Sequence, residues 1–192
     1  ADRLTRLWGQ QVVVDNRVGA AGTIGTAFVA KAPPDGYTLL QANIAPNAIA
    51  VSLYAKVPYD QLRDFAPITR IGMTPNIITV HPSVPFKSIK HLIAYAKAHP
   101  GELSYSSALV GTSPQLSMEL LKLQMKLDVV HIPYRNAAQG LTDTIGGQIP
   151  VNISNFPATI GPVQTGRLRA LAVTSSQRAL QLPDVPTLQE SG

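Results

Sequence analysis

The sequence predicts an α/β fold, and three observations support this prediction. Short apolar, β-branched runs are followed by loops of small residues and then by stretches with helical spacing of apolar residues. This order of strand, loop and helix occurs twice before residue 60 and resumes after residue 88. Between residues 64 and 81, two extended segments follow each other with no helix between them. The repeated units indicate a parallel sheet, and the interruption indicates a crossover between two domains.

The composition of the 192 residues fits a globular protein and excludes several classes of function. Hydrophobic residues make up 45% and charged residues 14%, a balance that can bury a core. The absence of cysteine excludes disulfides, thiolate catalysis and cysteine-based metal sites. The net charge is +5, but Arg and Lys are dispersed, whereas a nucleic-acid site needs a concentrated basic patch. We therefore expect no nucleic-acid partner and a mild positive field that attracts small anions.

The first 60 residues are predicted to hold an opening helix and two strand–helix units. The apolar face of the opening helix consists of Leu4, Leu7 and Trp8. The strands are predicted at residues 11–14 and 37–41, and the helices after them at residues 26–31 and 48–54. The first of these strands is β-branched and unbroken, which is typical of a buried strand.

Three glycines after the first predicted strand suggest a dinucleotide-binding loop, but their spacing does not fit. Ala21 stands where the second glycine of G-x-G-x-x-G belongs, and no acidic residue follows at the end of the next strand. We interpret Gly19, Gly22 and Gly25 as parts of a loop that lets a helix pack closely on a sheet. The sequence therefore predicts no cofactor.

A small polar loop at residues 42–47 follows the second predicted strand. In parallel α/β sheets, ligands bind beyond the carboxyl ends of the strands. The topology therefore places Asn43 and Asn47 near a cleft. The crossover after this region predicts a first domain at residues 1–70 and a second at residues 71–170. The apolar strand at residues 168–174 is interpreted as the return, so that residues 171–192 rejoin the first domain.

The most informative stretch of the second half runs from residue 103 to residue 122. It begins as a strand, continues as a loop of small residues at 106–112 and becomes a helix at Ser113, with Pro114 in the first turn. The apolar residues at helical spacing predict which face of this helix is buried: Leu116, Leu120 and Leu123. Such a helix start leaves N–H groups directed at one place, which suits an anion. In the alternative interpretation, Ser113 is an ordinary N-cap and the loop only connects elements.

The other elements of the second half repeat the same pattern. Ser88 and Asn136 are each followed by a helical stretch and are predicted to be N-caps. Strands are predicted at residues 128–132 and 149–154, and a short helix after the second of them ends at Gly166. No serine has a convincing His/Asp pair, and none of the catalytic signatures G-x-S-x-G or H-E-x-x-H occurs. We therefore expect no enzyme.

Six segments in series resemble the Bug-type receptors, which are the periplasmic solute-binding proteins of tripartite tricarboxylate transporters. They read DNRVGAAGTIG, AKAPPDGYTLL, YDQLRDFAPIT, HPGELSYSSALVGTSPQLSMELL, VVHIPYRNAAQGLTDTIGGQI and GRLRALAVTSSQRALQLPDVPTLQESG. The resemblance implies a type II periplasmic-binding-protein-like fold, with two α/β domains around a cleft. It implies a periplasmic receptor that captures a small organic acid and delivers it to membrane subunits, without a metal or a cofactor. Both ends of the family pattern are missing, so we expect a fragment with an incomplete first domain.

The resemblance also implies how the ligand is held, by backbone N–H groups, hydroxyls and bridging waters. One carboxylate is assigned to the amides and hydroxyls of Gly111, Thr112 and Ser113. Ser106 and Ser107 would line the same wall. The first domain would contribute three residues from the other side: Asn43, Ala45 and Asn47.

Two further candidates end the next strand. Tyr134 would close one side of the ligand, and Arg135 would neutralise its charge. The alternative for Arg135 is a solvated salt-bridge partner. Many relatives of this type carry an aspartate after the strand at residues 149–154, where this chain has Ser154 and Asn155. The loss of that negative charge predicts a more acidic ligand, or one without an ammonium group.

Two alternative functions remain open on the sequence alone. One is the effector-sensing domain of a LysR-like transcription regulator, which has a related two-domain α/β cleft and would need a DNA-binding module upstream. The other is that the chain as given binds nothing, because a first domain without a strand would expose unpaired sheet edges.

Overall fold

A computed structural model describes residues 1–191, and the chain divides into two compact units. The first unit is Ala1–Pro67, and the second begins at Ile68. The predicted domain bounds of 1–70, 71–170 and 171–192 concern the longer protein and stay a prediction. None of the helices that the structure describes is long and apolar enough to cross a membrane.

The first unit is built from helices and extended connections. Its helices are α1 (Asp2–Trp8), α2 (Thr23–Ala30), a π-helix (Ala45–Ile49) and α3 (Ala50–Leu53). The helix predicted at residues 26–31 overlaps α2, and the helix predicted at residues 48–54 overlaps the π-helix and α3, so both are confirmed. A short 3-10 turn, Ala20–Gly22, leads into α2.

The two strands predicted in the first unit do not form within the described residues. Val13, Val14 and Tyr37 are exposed to 76%, 63% and 93%. A strand is stable only when its N–H and C=O groups pair with a neighbour, and no other segment of Ala1–Pro67 pairs with residues 11–14 or 37–41. The predicted opening helix is confirmed as α1, and none of its residues is buried.

The second unit is a five-stranded sheet covered by helices. Its strands are β1 (Asn76–Val80), β2 (Ser104–Ser107), β3 (Val130–Pro133), β4 (Val151–Asn155) and β5 (Arg169–Val173). Its helices are α4 (Ile89–Ala98), α5 (Ser113–Met125), α6 (Ala137–Ile145) and α7 (Phe156–Gln164). The strand order is β3-β2-β4-β1-β5.

The sheet is mixed, whereas the sequence predicts a parallel one. β2 pairs in parallel with β3 and β4. β1 lies antiparallel between β4 and β5. The prediction fails at β1 because the extended crossover, and not a helix, leads into this strand. A helical crossover is what ordinarily returns the chain in the parallel direction.

The core lies between the sheet and α4 and α5. The side chains of Leu92, Tyr105, Met118 and Ile153 are fully buried there. The predicted N-caps at Ser88 and Asn136 are confirmed, since their side chains accept hydrogen bonds from the N–H groups two or three residues ahead.

The buried face predicted for α5 is wrong. Leu116, Leu120 and Leu123 are 37%, 54% and 76% exposed. Instead, the face with Met118 and Leu121 packs into the core. The helix carries two apolar stripes at helical spacing, and periodicity alone cannot tell which of them faces the sheet.

Candidate functional site at one edge of the sheet

The carboxyl ends of the parallel strands meet the beginning of β1 at one edge of the sheet. Because β1 is antiparallel to β4, its first residue, Asn76, lies opposite Asn155, the last residue of β4. The chain after β5 reaches the same edge, where the N–H of Asn76 donates to the hydroxyl of Thr174 over 2.9 Å. Helices α5, α6 and α7 all begin here, after β2, β3 and β4. Helix N-termini carry partial positive charge, so this edge favours an anion.

Some polar groups of the loop before α5 already form hydrogen bonds within the protein, and others do not. Gly111 is buried with φ +84°, and its N–H donates to Oε1 of Gln115 over 3.2 Å. The hydroxyl of Thr112 donates to the carbonyl of Leu109 over 2.8 Å. Thr112, and not Ser113, is the N-cap of α5, and its side chain makes no cap hydrogen bond. Within residues 1–191, the N–H groups of Thr112 and Ser113 have no protein acceptor, so these two remain available to an anion.

Asn76 ties the start of α5 to β1, which sequence reasoning missed. The hydroxyl of Ser113 donates to Oδ1 of Asn76 over 3.5 Å, and Nδ2 of Asn76 donates to the hydroxyl of Ser117 over 3.1 Å. Asn76 is 5% exposed. A polar residue at the start of an apolar strand was the only signal in the sequence that could have drawn attention to it.

Ser106 lies in the interior and is not brought together with the other candidates. The structure places it in β2, whereas the sequence predicts a loop from residue 106. Its side chain is fully buried, and its hydroxyl contacts Oγ1 of Thr144 on α6 at 3.0 Å. Nδ2 of Asn152 donates to the same hydroxyl over 2.8 Å. Side chains alternate between the faces of a strand, and that of Ser106 points toward α6.

Ser107 is paired with a histidine that lies 24 residues away in sequence. Its hydroxyl is 2.8 Å from Nε2 of His131 and 3.0 Å from the carbonyl of Ala108. The pair arises because β2 and β3 are parallel, with Tyr105 opposite His131 and stacked on its ring at 4.8 Å. Ser107 is only 2% exposed, so its hydroxyl is a structural group and not an accessible nucleophile.

A carboxylate and a lysine lie beside Tyr105 and extend the polar contacts of Ser107 and His131. The Tyr105 hydroxyl donates to Oε1 of Glu119 over 2.6 Å, and Nζ of Lys122 donates to the same atom over 2.9 Å. Burial raises the pKa of Tyr105, and the bond to Glu119 adds to that effect. Burial alone would raise the pKa of Glu119, but the hydrogen bonds from Tyr105 and Lys122 outweigh it and lower this pKa.

We expect His131 to make folding stability depend on pH near neutrality. Burial lowers the pKa of His131; Glu119 opposes this effect and Lys122 adds to it. The unfolded chain therefore binds a proton near the ordinary histidine pKa of about 6.5, where the folded chain resists it. We expect the free energy of unfolding to fall as pH drops below about 6.5 and to recover above it.

The measurement is urea unfolding at several pH values between 5 and 8, comparing wild type with His131→Gln and with the control His91→Gln. His91 is exposed on α4. The slope of the free energy of unfolding against pH should become smaller in His131→Gln and stay as in wild type in His91→Gln. Equal slopes in wild type and His131→Gln would contradict the assignment.

Tyr134 and Arg135 follow β3. The Tyr134 hydroxyl donates to Oδ2 of Asp143 over 2.6 Å, and this bond raises the pKa of Tyr134. Its ring lies on Gly140, where an added Cβ would come within 2.9 Å of it. Tyr134 thus packs along α6, with its hydroxyl committed to that helix. Arg135 is exposed.

Asn155 is exposed at the start of α7 and makes no cap hydrogen bond with its side chain. The first N–H of α7, that of Phe156, already donates to the carbonyl of Pro75 over 3.0 Å. The ring of Phe156 is buried against Ile77 and Val173. At this helix start, the free group is therefore the Asn155 side chain and not the amide that follows it.

The first unit holds its three candidates in a local arrangement at the start of the π-helix. Oδ1 of Asn43 accepts from the N–H of Ala45 over 3.1 Å, and Oδ1 of Asn47 accepts from the N–H of Asn43 over 3.3 Å. Nδ2 of Asn47 donates to Oε1 of Gln61 over 2.7 Å. Ala45 is buried. The side chains of both asparagines therefore stabilise the start of this helix through local hydrogen bonds.

Helix starts meet at one edge of a mixed α/β sheet, with two free N–H groups beside polar side chains, and this arrangement is the kind that suits a small anion. A family model described as "Tripartite tricarboxylate transporter family receptor" matches residues 1–192. The chain belongs to this family.

Relatives and solved structures agree with this assignment. The chain is 40% identical over 185 residues to "Protein BugT" of Bordetella pertussis, covering 96% of this chain and 57% of that relative. A solved structure described as "R. palustris Rpa4515 with adipate" is 36% identical with a TM-score of 0.94, covering all of this chain and 64% of the other. Another, "Structure of a periplasmic transporter", is 35% identical with a TM-score of 0.93 and the same coverage. The chain thus spans about 57% to 64% of these proteins.

Proposed function

We propose that the protein containing this chain is a periplasmic solute-binding receptor. It captures a small carboxylate, a dicarboxylate such as adipate or a related organic acid, and delivers it to the membrane subunits of a tripartite tricarboxylate transporter. Family membership supports the receptor role, and the names of the similar proteins support the compartment and the ligand class. Within this family, the LysR-like regulator is no longer a competing function.

The observation that carries the ligand class is the pair of free N–H groups at Thr112 and Ser113. Two adjacent amides at the start of a 13-residue helix can both donate to one carboxylate. The exposed Arg135 follows a neighbouring strand of the same edge and adds positive charge. We assign one carboxylate to Thr112 and Ser113, with Gly111 shaping the turn that presents them. Asn43, Ala45 and Asn47 stay proposed contacts from the first unit.

Calorimetric titration of the full-length receptor tests the function. We expect saturable binding of adipate, with 2-aminoadipate (the same six-carbon diacid with an added ammonium) binding more weakly. Hexanoate, which has one carboxylate, should also bind more weakly. Preference for 2-aminoadipate, or no binding of any of the three acids, would contradict the proposal.

Gly111→Ala tests the turn before α5. At φ +84° an alanine is strained, and we expect a stability loss of about 1 kcal/mol. Because the strain displaces the amides of Thr112 and Ser113, adipate affinity should fall about tenfold, which equals about 1.4 kcal/mol. The control is Gly166→Ala, since Gly166 has φ +71° and no atom within 4 Å of an added Cβ. It should lose similar stability and keep its affinity; a parallel loss of affinity in both variants would count against the assignment.

A further inference from the structure

The first turn of α5 has the residues of a capping box but not its hydrogen bonds. In a capping box, the N-cap hydroxyl accepts from the N–H of the third helical residue, and the Glu or Gln side chain of that residue accepts from the N-cap N–H. The N-cap of α5 is Thr112 and its third residue is Gln115. The Thr112 side chain makes no cap hydrogen bond, and its hydroxyl donates to the carbonyl of Leu109 instead.

The side chain of Gln115 bonds one residue further back than a capping box requires. Its Oε1 accepts from the N–H of Gly111 over 3.2 Å, and this leaves the N–H of Thr112 free. An N–H group can pair with the oxygen of a side-chain amide but not with its nitrogen. The bond from Gly111 therefore fixes which end of the Gln115 side chain is Oε1 and which is Nε2.

The other end of the Gln115 side chain has no partner. Nε2 carries two N–H groups, and neither has an acceptor among residues 1–191. Gln115 is only 7% exposed, and a nearly buried donor without an acceptor is unfavourable. In the part of the chain that the structure describes, no side-chain nitrogen or oxygen is both fully enclosed and unpaired, so Nε2 still reaches the surface. Because Nε2 and Oε1 share one carbon, this donor lies beside the Gly111 turn.

We propose that Gln115 is a ligand-binding residue whose Nε2 donates to the same carboxylate as the N–H groups of Thr112 and Ser113. This assignment rests on the proposed function, because it adds a side-chain donor to the carboxylate site. A carboxylate offers about four lone-pair positions on its two oxygens, so it can accept from Nε2 as well as from the two amides. The ligand then supplies the acceptor that Nε2 lacks, while Oε1 holds the turn at Gly111.

Two variants of the full-length receptor separate the donor from the bond that holds the turn, with calorimetric titration of adipate as the measurement. Gln115→Glu keeps an oxygen for the Gly111 N–H, removes the Nε2 donor and adds a negative charge. Its stability should not fall, since Glu is favourable in the first turn of a helix. Gln115→Met removes both polar groups without adding charge. Adipate affinity should fall at least tenfold in each variant, because each loses a hydrogen bond to a charged group.

The control for the added charge is Asn136→Asp, which places a carboxylate at the start of α6 on the same edge of the sheet. It should weaken adipate less than threefold. A measurement on wild type is independent of all three variants. The side-chain NH₂ signals of Gln115, assigned in ¹⁵N-labelled receptor through their correlation with the Gln115 main chain, should move as adipate is added and saturate with the calorimetric affinity.

The outcomes distinguish this proposal from the proposed function. Failure of wild type to bind any carboxylate overturns both. If wild type binds adipate, three results overturn the role of Gln115 alone and leave the receptor function standing. These are wild-type affinity in Gln115→Glu, equal weakening in Asn136→Asp and Gln115→Glu, or Gln115 side-chain signals that stay unmoved in the saturated receptor.

Discussion

Asn155→Asp is expected to shift the preference between adipate and 2-aminoadipate by about a hundredfold. The change introduces a negative charge at the exposed start of α7, where the side chain makes no cap hydrogen bond. A carboxylate there repels the second carboxylate of adipate and attracts the ammonium of 2-aminoadipate, each by about 1.4 kcal/mol, or tenfold. The fold should tolerate it, since aspartate is a good N-cap.

The control for this prediction is Asn136→Asp, the same substitution at the start of α6 on the same edge of the sheet. Calorimetric titration of wild type and both variants with both ligands gives the ratio directly. An equal change of ratio in Asn136→Asp would show that overall charge, and not the position of Asn155, determines the preference.

Asn152→Ala is expected to cost about 3 kcal/mol of folding stability, the largest effect of any single substitution considered. Asn152 is 1% exposed in β4. Its Nδ2 donates to the hydroxyl of Ser106 over 2.8 Å, and its Oδ1 accepts from the hydroxyl of Ser154 over 2.7 Å. Alanine would leave both serines without these partners inside the protein and open a small cavity.

Urea unfolding at neutral pH measures this effect. Asn136→Ala serves as the matched control, because it removes one exposed cap hydrogen bond and should cost about 1 kcal/mol. If Asn152→Ala cost no more than Asn136→Ala, the buried network would not stabilise the junction of β2, β4 and α6.

The helix starts of the second unit could be predicted because their signals are local. Ser88 and Asn136 mark helix starts, and the caps follow from residues within three positions. The pairing of the first unit's predicted strands could not be read in the same way, because the runs at residues 11–14 and 37–41 become strands only beside a partner. A partner strand is not a property of the run itself.

The candidate site was predictable in outline but not in detail. The strand–loop–helix pattern located Gly111, Thr112 and Ser113, since helix starts follow from spacing and small residues. It could not show that Ser106 points toward α6, because a shift of one residue in a strand end reverses the face. It also missed the contact between Ser107 and His131, which depends on the register of two strands.

Amide chemical shifts of the ¹⁵N-labelled full-length receptor, recorded while adipate is added, test whether the N–H groups of Thr112 and Ser113 bind a carboxylate. We expect the N–H signals of Thr112 and Ser113 to move most within the second unit and to saturate with the calorimetric affinity. Saturating shifts confined to other surfaces of the second unit, with the signals of Thr112 and Ser113 unchanged, would contradict this expectation.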